Sequence, residues 1–252
     1  MEENMKKKRL DVVLKERGLI AEDDDPFVVV TEGRVFVDGQ KAISPAQMVS
    51  SDARLEVRGG DRYVGRGALK LEAALQEFGI DVSGKTCADI GAATGGFTEV
   101  LLRHGAARVY AIDTARGKLA LKLRRDPRVV VMEQTDIRRI ESLSEQADIV
   151  TIDVSLISLR QILPAAKRFL QQDGIVVALF KPQYETRDPS ELRHGIVVSD
   201  EVRGALLNDF MQWAKDNEWE IKNHMESPIR GSEGNAEYLL RLKLKIKEQN
   251  AK

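Results

Sequence analysis

From residue 63 onward, short apolar runs alternate with stretches whose apolar residues recur every three or four positions. The runs at 87–90, 108–113, 129–133, 148–153, 174–180, about 219–225 and 237–247 predict seven strands. The periodic stretches near 66–78, 96–104, 117–125, 159–172 and 199–217 predict helices. Strands alternating with helices imply an α/β domain, 63–252, with a mostly parallel sheet covered on both faces. The last run differs from the others. Leu240, Leu242, Leu244 and Ile246 alternate with Arg241, Lys243, Lys245 and Lys247, so one face is expected to be buried and the other basic, as in an antiparallel strand near the sheet edge.

Residues 1–58 follow another pattern and predict a small α+β module. Leu10, Val13 and Leu14 fall on one helix face before a break at Gly18, and Asp23-Asp24-Asp25-Pro26 offers a cap with proline in the first turn of a second helix. Val35 and Val37 alternate with polar neighbours up to Asp38-Gly39, a hairpin signal. Arg54-Leu55-Glu56-Val57 closes the module as a strand, and Gly59-Gly60 reads as a linker.

Composition narrows the function classes. The 252 residues are 42% hydrophobic and 31% charged with a formal net charge of −1, which suits a cored domain and excludes an all-over polycation. The basic clusters Lys6-Lys7-Lys8-Arg9, Arg124-Arg125 with Arg128, and Arg138-Arg139 read first as solvated faces. The single cysteine, Cys87, precludes an internal disulfide, so a reducing cytoplasm suits the chain and Cys87 is expected in the core. The three histidines, at 104, 194 and 224, lack metal-ligand spacing, so no metal site is expected. The longest apolar run, at 174–180, is far short of the roughly 20 residues a spanning helix needs.

The segment from Asp89 to Phe97 carries the most chemistry. It reads as a strand end, a glycine turn and a helix start, with Asp113 ending the next strand about 20 residues beyond Gly91. The glycines run G-x-x-x-G-G, which disfavours a pyrophosphate cradle and favours a nucleoside without phosphates, S-adenosylmethionine being the commonest. The expected cofactor set is Asp89, Gly91, Ala92, Ala93, Thr94, Gly95, Gly96 and Phe97, with Asp113 on the ribose, Asp136 near the adenine, and Asp153 at the same sheet edge.

Four further segments sit at element ends. They are Arg66-Gly67-Ala68-Leu69-Lys70-Leu71, Asp153-Val154-Ser155-Leu156-Ile157-Ser158-Leu159, Phe180-Lys181-Pro182-Gln183-Tyr184-Glu185 and Glu233-Gly234-Asn235-Ala236-Glu237-Tyr238. Lys181 follows an apolar strand, and desolvation is how a lysine becomes a usable base.

The segments 63–71, 89–98, 153–159 and 181–185, in this order, resemble the signatures of the hemolysin A-like (TlyA) family of ribosomal RNA methyltransferases with an FtsJ-like catalytic domain. The resemblance implies a Rossmann-like methyltransferase sheet of seven strands whose last strand is antiparallel. It also implies a Lys-Asp-Lys-Glu tetrad for ribose 2′-O-methylation, which falls on Lys70, Asp153, Lys181 and Glu237, with Glu233 a neighbouring candidate for the last place. The family has serine and glycine where this chain has Gly65 and Ala68. Residues 5–58, with Arg9-Leu10-Asp11 and Gly33-Arg34-Val35-Phe36-Val37-Asp38-Gly39, resemble a small RNA-binding module named after a ribosomal protein. The match departs at Asp23-Asp24-Asp25, where that module often carries Arg or Lys. The implied partners are ribosomal RNA or ribosomal subunits, not DNA or a membrane. The competing readings are a methyltransferase for a protein or small molecule, and a membrane-active protein of the kind the hemolysin name suggests.

Overall fold

The computed structural model describes residues 7–20, 24–31, 33–57, 63–231 and 233–245. The chain divides into two compact units, Met1–Arg62 and Tyr63–Lys252.

The first unit contains β1 (Lys7–Arg9), α1 (Leu10–Glu16), α2 (Pro26–Thr31), β2 (Val35–Val37), β3 (Gln40–Lys41), β4 (Met48–Ser50) and β5 (Leu55–Val57). Asp38 (φ 51°) and Gly39 (φ 82°) form the left-handed corner that joins β2 to β3. β5 pairs with β2 on its other side, and β1 pairs antiparallel with β4. Neither β1 nor β4 carries an alternating apolar pattern, so both escape sequence reasoning. Asp25 accepts a hydrogen bond from the Phe27 amide (2.9 Å), capping α2. Leu10, Leu14, Val29, Val30, Val35 and Val49 form this unit's own core. Lys6, Asp23 and the Gly59-Gly60 linker lie outside the described residues.

The second unit runs α3 (Ala68–Glu77), β6 (Thr86–Ile90), α4 (Gly96–Arg103), β7 (Arg108–Ile112), α5 (Leu121–Arg124), β8 (Val129–Met132), β9 (Ala147–Ile152), α6 (Leu159–Phe169), β10 (Leu170–Phe180), α7 (Pro182–Glu185), β11 (Leu192–Arg193), β12 (Ile196–Val197), α8 (Asp200–Asp216), β13 (Trp219–Glu226) and β14 (Tyr238–Leu244). Seven strands form one sheet in the order β13-β14-β10-β9-β6-β7-β8. β14 is antiparallel to both neighbours, and the pairs from β10 to β8 are parallel. Chain order reverses between β6 and β9, and the crevice of an open α/β sheet forms at such a reversal.

Three expectations need correction. The helix expected over 117–125 shrinks to Leu121–Arg124, because the Gly117, Lys118 and Leu119 amides donate to the Glu133 carboxylate instead of entering helical bonds. The helix expected to reach 172 stops at Phe169, where Leu170 joins the sheet opposite Ala147 and β10 begins with a bulge. The basic face of β14 is covered as well: Leu239 is fully buried in the core on the α3–α4 side, and Arg241 donates to the Phe78 carbonyl at the end of α3 (2.9 Å). Ile246 and Lys247 lie outside the described residues.

Candidate active site

The turn after β6 adopts a geometry open only to small residues. Gly91 has φ 86°, and a Cβ there would lie 2.3 Å from the Asp153 carbonyl oxygen. The backbones leaving β6 and β9 therefore touch, and only glycine permits it. Ala93 (φ 47°) and Gly95 (φ 98°) complete the bend, and a Cβ on Gly96 would come 3.1 Å from the Ala68 nitrogen. The glycines thus bring α3, α4 and the Asp153 loop to one point.

A crevice of about 480 Å³ opens at this carboxyl edge, lined by Gly91, Ala93, Asp113, Asp136, Asp153, Ser155 and neighbours. Asp113 accepts from the Ala93 amide (2.8 Å) and the Ala115 amide (2.7 Å), so it shapes both sides of the glycine turn while facing the crevice. Asp136 caps the short 3₁₀ turn Ile137–Arg139, and Arg138 holds its carboxyl down at about 2.

The other expected cofactor residues are placed differently. Asp89 is fully buried and off the crevice wall; its oxygens accept from Thr98 (2.6 Å) and Thr151 (3.0 Å), and burial pushes it up to about 6. It braces the turn from beneath. Ala92 and Phe97 are likewise buried, Thr94 is exposed, and Gly95 and Gly96 act through packing.

Two ion pairs stand beside the crevice. Lys181 Nζ lies 2.7 Å from Asp153 Oδ1 and donates to Ser155 Oγ (3.1 Å). Lys70 Nζ lies 2.5 Å from Glu237 Oε2, with Glu237 only 3% exposed. Sheet register explains the convergence: Phe180 faces Tyr238 across β10 and β14, so Lys181 leaves one strand where Glu237 enters the next. Ala178 faces Ile152, which brings Asp153 alongside. Gly67, one turn before Lys70, carries α3 close enough that a Cβ there would sit 3.7 Å from Asp153 Oδ2. Glu233 is exposed and outside this arrangement. Gly65 also fits closely, since a Cβ at this position would meet Thr94 Oγ1 at 2.7 Å.

Sequence reasoning missed three residues. Glu99, buried in α4, accepts from the Val64 amide (2.6 Å) and pairs with Arg103 and Lys122, fixing the lead into α3. Asn235 accepts from the Val197 amide and donates to the Gly195 carbonyl (both 3.0 Å), tying the β11–β12 hairpin to the strand that carries Glu237. Glu185 accepts from Ser158 Oγ (2.6 Å) and the Leu159 amide (2.7 Å), joining the two loops that hold Asp153 and Lys181. Only the buried glutamate between apolar neighbours hinted at the first.

A family model for FtsJ-like methyltransferases matches residues 63–244, the whole sheet with both ion pairs. The chain belongs to that family. It is 40% identical over 239 residues to a Mycobacterium tuberculosis protein named 16S/23S rRNA (cytidine-2′-O)-methyltransferase TlyA, covering 93% of this chain and 89% of that one. It is 38% identical over 234 residues to hemolysin A of Brachyspira hyodysenteriae, covering 92% and 98%. A solved Streptococcus thermophilus chain that carries a hemolysin name superposes with TM-score 0.74 at 37% identity, covering 96% of this chain and 90% of that one.

As an FtsJ-like enzyme the protein is a methyltransferase with S-adenosylmethionine as methyl donor. The donor set fits that molecule: a glycine turn without phosphate-cradling spacing, the carboxylates of Asp113 and Asp136 in the crevice, and apolar walls from Ile90, Ile112, Ile137 and Ile162. Among the described residues, no helix is long and apolar enough to cross a membrane.

Proposed function

We propose that the protein methylates the 2′-hydroxyl of a cytidine ribose in ribosomal RNA. One observation carries this reading: the Lys181–Asp153 and Lys70–Glu237 pairs stand together at the crevice edge. The relatives named as ribosomal RNA cytidine-2′-O-methyltransferases support the acceptor. A methyltransferase for a small-molecule acceptor would have no need of a buried Lys70–Glu237 pair beside the Lys181–Asp153 pair.

A ribose hydroxyl is a poor nucleophile, so a positioned base must take its proton as attack develops. S-adenosylmethionine supplies the electrophilic methyl on its sulfonium. Asp113 and Asp136 would hold the ribose and adenine ends of that cofactor, and Asp89 and the glycines fix the turn that shapes its crevice. In its neutral form Lys181 Nζ takes the hydroxyl proton, and the ammonium so formed is held by Asp153 and Ser155 Oγ. Lys70 and Glu237, paired with each other and nearly buried, position the acceptor ribose. Holding the acceptor in line contributes up to about 7–11 kcal/mol of barrier lowering.

The N-terminal unit is proposed to dock ribosomal RNA. Lys8 and Arg9 face Glu16 (2.8 Å) and Asp11 (2.6 Å) in exposed pairs, which hold weakly and which a phosphate can displace. The enzyme would then work in the cytoplasm, where its substrate is made. The test is a 2′-O-methyl map of ribosomal RNA from cells with and without the gene, repeated with the Lys181→Ala protein. A cytidine methylated only with the intact gene is expected; identical maps would end this reading. The purified protein, assayed for leakage of liposomes, tests the hemolysin-named alternative.

A further inference from the structure

A second cleft, of about 330 Å³, adjoins the cofactor crevice and shares Leu156 and Ile157 with it. Its walls are residues 156–158 with Arg160 and Gln161 on one side and residues 184–187 on the other, each following closely on Asp153 or Lys181 along the chain. Glu185 ties these walls together from the floor through Ser158 and the Leu159 amide, so the cleft is built into the fold. Arg160, beneath it, is committed to Asp209 (2.7 Å) and packs over Phe210 and Trp213. Among the groups that line it, the half-buried Tyr184 ring offers an aromatic surface and the exposed Arg187 a cation, beside the exposed Gln161.

We propose that this cleft seats the base of the acceptor nucleotide, stacked on Tyr184, with Arg187 on a neighbouring phosphate. The inference rests on the acceptor being RNA, as proposed above. A 2′-oxygen within hydrogen-bond reach of Lys181, about 3 Å, carries its base only a few ångströms further. The centroid of the Tyr184 ring lies 6.0 Å from Lys181 Nζ, so the ring stands within one nucleotide's length of that amine. An aromatic face beside a guanidinium is the pairing that holds an unstacked nucleotide, the ring taking the base and the cation its phosphate. The cofactor takes up the crevice, so the acceptor nucleotide needs a space of its own next to Lys181. This cleft meets the crevice at Leu156 and Ile157, on the loop that carries Asp153, and supplies that space.

Two measurements test it on the full-length, cofactor-loaded protein. The first is saturation-transfer NMR with cytidine 5′-monophosphate, which needs no methyl transfer. Transfer to the base protons is expected in the wild type and in Tyr184→Phe and is expected to disappear in Tyr184→Ala; equal signals in wild type and Tyr184→Ala would overturn the site. The second is methylation of ribosomal subunits purified from cells lacking the gene. Tyr184→Ala should raise KM for subunits about tenfold or more, with S-adenosylmethionine affinity unchanged and Tyr184→Phe close to wild type. Arg187→Ala, on the surface and safe for folding, should raise the same KM and flatten its salt dependence. Unchanged KM in both alanine variants overturns the proposal. Absence of transfer by the wild type, with the NMR contrast intact, would instead overturn the ribosomal acceptor and leave the base site standing.

Discussion

Lys181 shows how far a single residue can be reasoned about from sequence. Its position after an apolar strand was legible, but its surroundings were not: it is only 9% exposed, and its ammonium is shared between Asp153 and Ser155. Lys181→Ala should cut methyl transfer about 100-fold or more with cofactor affinity nearly unchanged, and Lys181→Arg should fail to rescue it because a guanidinium does not give up its proton near neutral pH. Near-normal turnover of the alanine variant on ribosomal RNA would refute its role. Asp89 teaches the converse. The motif suggests a cofactor contact, yet the register of β6 between β9 and β7 turns its side chain into the interior. Because its folded carboxyl is raised to about 6, the folded protein keeps a proton that the unfolded chain releases near pH 4. This residue therefore makes stability fall as pH rises from about 4 to 6, by roughly 3 kcal/mol. Asp136 and Glu133, held at about 2 by Arg138 and Arg124, act oppositely: their contribution is present above about pH 4 and is lost as pH falls towards 2. Melting curves of Asp89→Asn between pH 4 and 7 should lose the downward component, and curves parallel to wild type would show that Asp89 carries no such proton.

At the scale of elements, strands proved easier to place than the helices between them. The β6, β7, β9 and β10 runs are apolar on both faces, as buried parallel strands must be, so their pattern alone locates them. The 117–125 stretch has helical periodicity but is mostly loop, because Glu133 in the loop after β8 collects the amides of residues 117–119 and pairs with Arg124. No local pattern announces an acceptor that arrives from another strand. That loop forms part of the crevice wall through Ala115 and Lys118. Glu133→Gln weakens the acceptor and removes its charge, so S-adenosylmethionine Kd should rise several-fold and amide exchange at 117–119 should quicken while β6 and β9 stay protected. Asp113→Ala should act more strongly, by about tenfold or more, since it removes a crevice carboxylate together with the support of Ala93 and Ala115. Calorimetry distinguishes these outcomes, and unchanged affinity in Asp113→Ala would remove it from the cofactor site.

At the scale of the whole molecule, the two units are expected to divide the labour between substrate capture and chemistry. The four candidates were legible because Lys70, Asp153 and Lys181 stand in separate segments whose order resembles one family, and the resemblance placed the fourth on Glu237. An RNA-docking role for the first unit was less legible, because Asp23-Asp24-Asp25 stands where that module often has cations. The structure gives Asp25 another task, capping α2 through the Phe27 amide, and Asp23 lies outside the described residues. The cations on β1 are exposed and only loosely engaged: Lys8 and Arg9 keep half their side-chain surface in water despite their carboxylate partners. If this unit captures RNA, removing residues 1–62 should weaken subunit binding and make it less sensitive to salt. Each phosphate that a cation no longer neutralises lowers the slope of log K against log salt by about one. S-adenosylmethionine affinity should not change, since every crevice residue belongs to the second unit and that unit has its own core. The full-length Lys8→Glu/Arg9→Glu double variant should move binding in the same direction without touching either core. Equal subunit affinity and salt slope in both proteins would show that capture resides wholly in the methyltransferase unit, around the edge of the sheet where Lys181 and Glu237 lie at the ends of neighbouring strands.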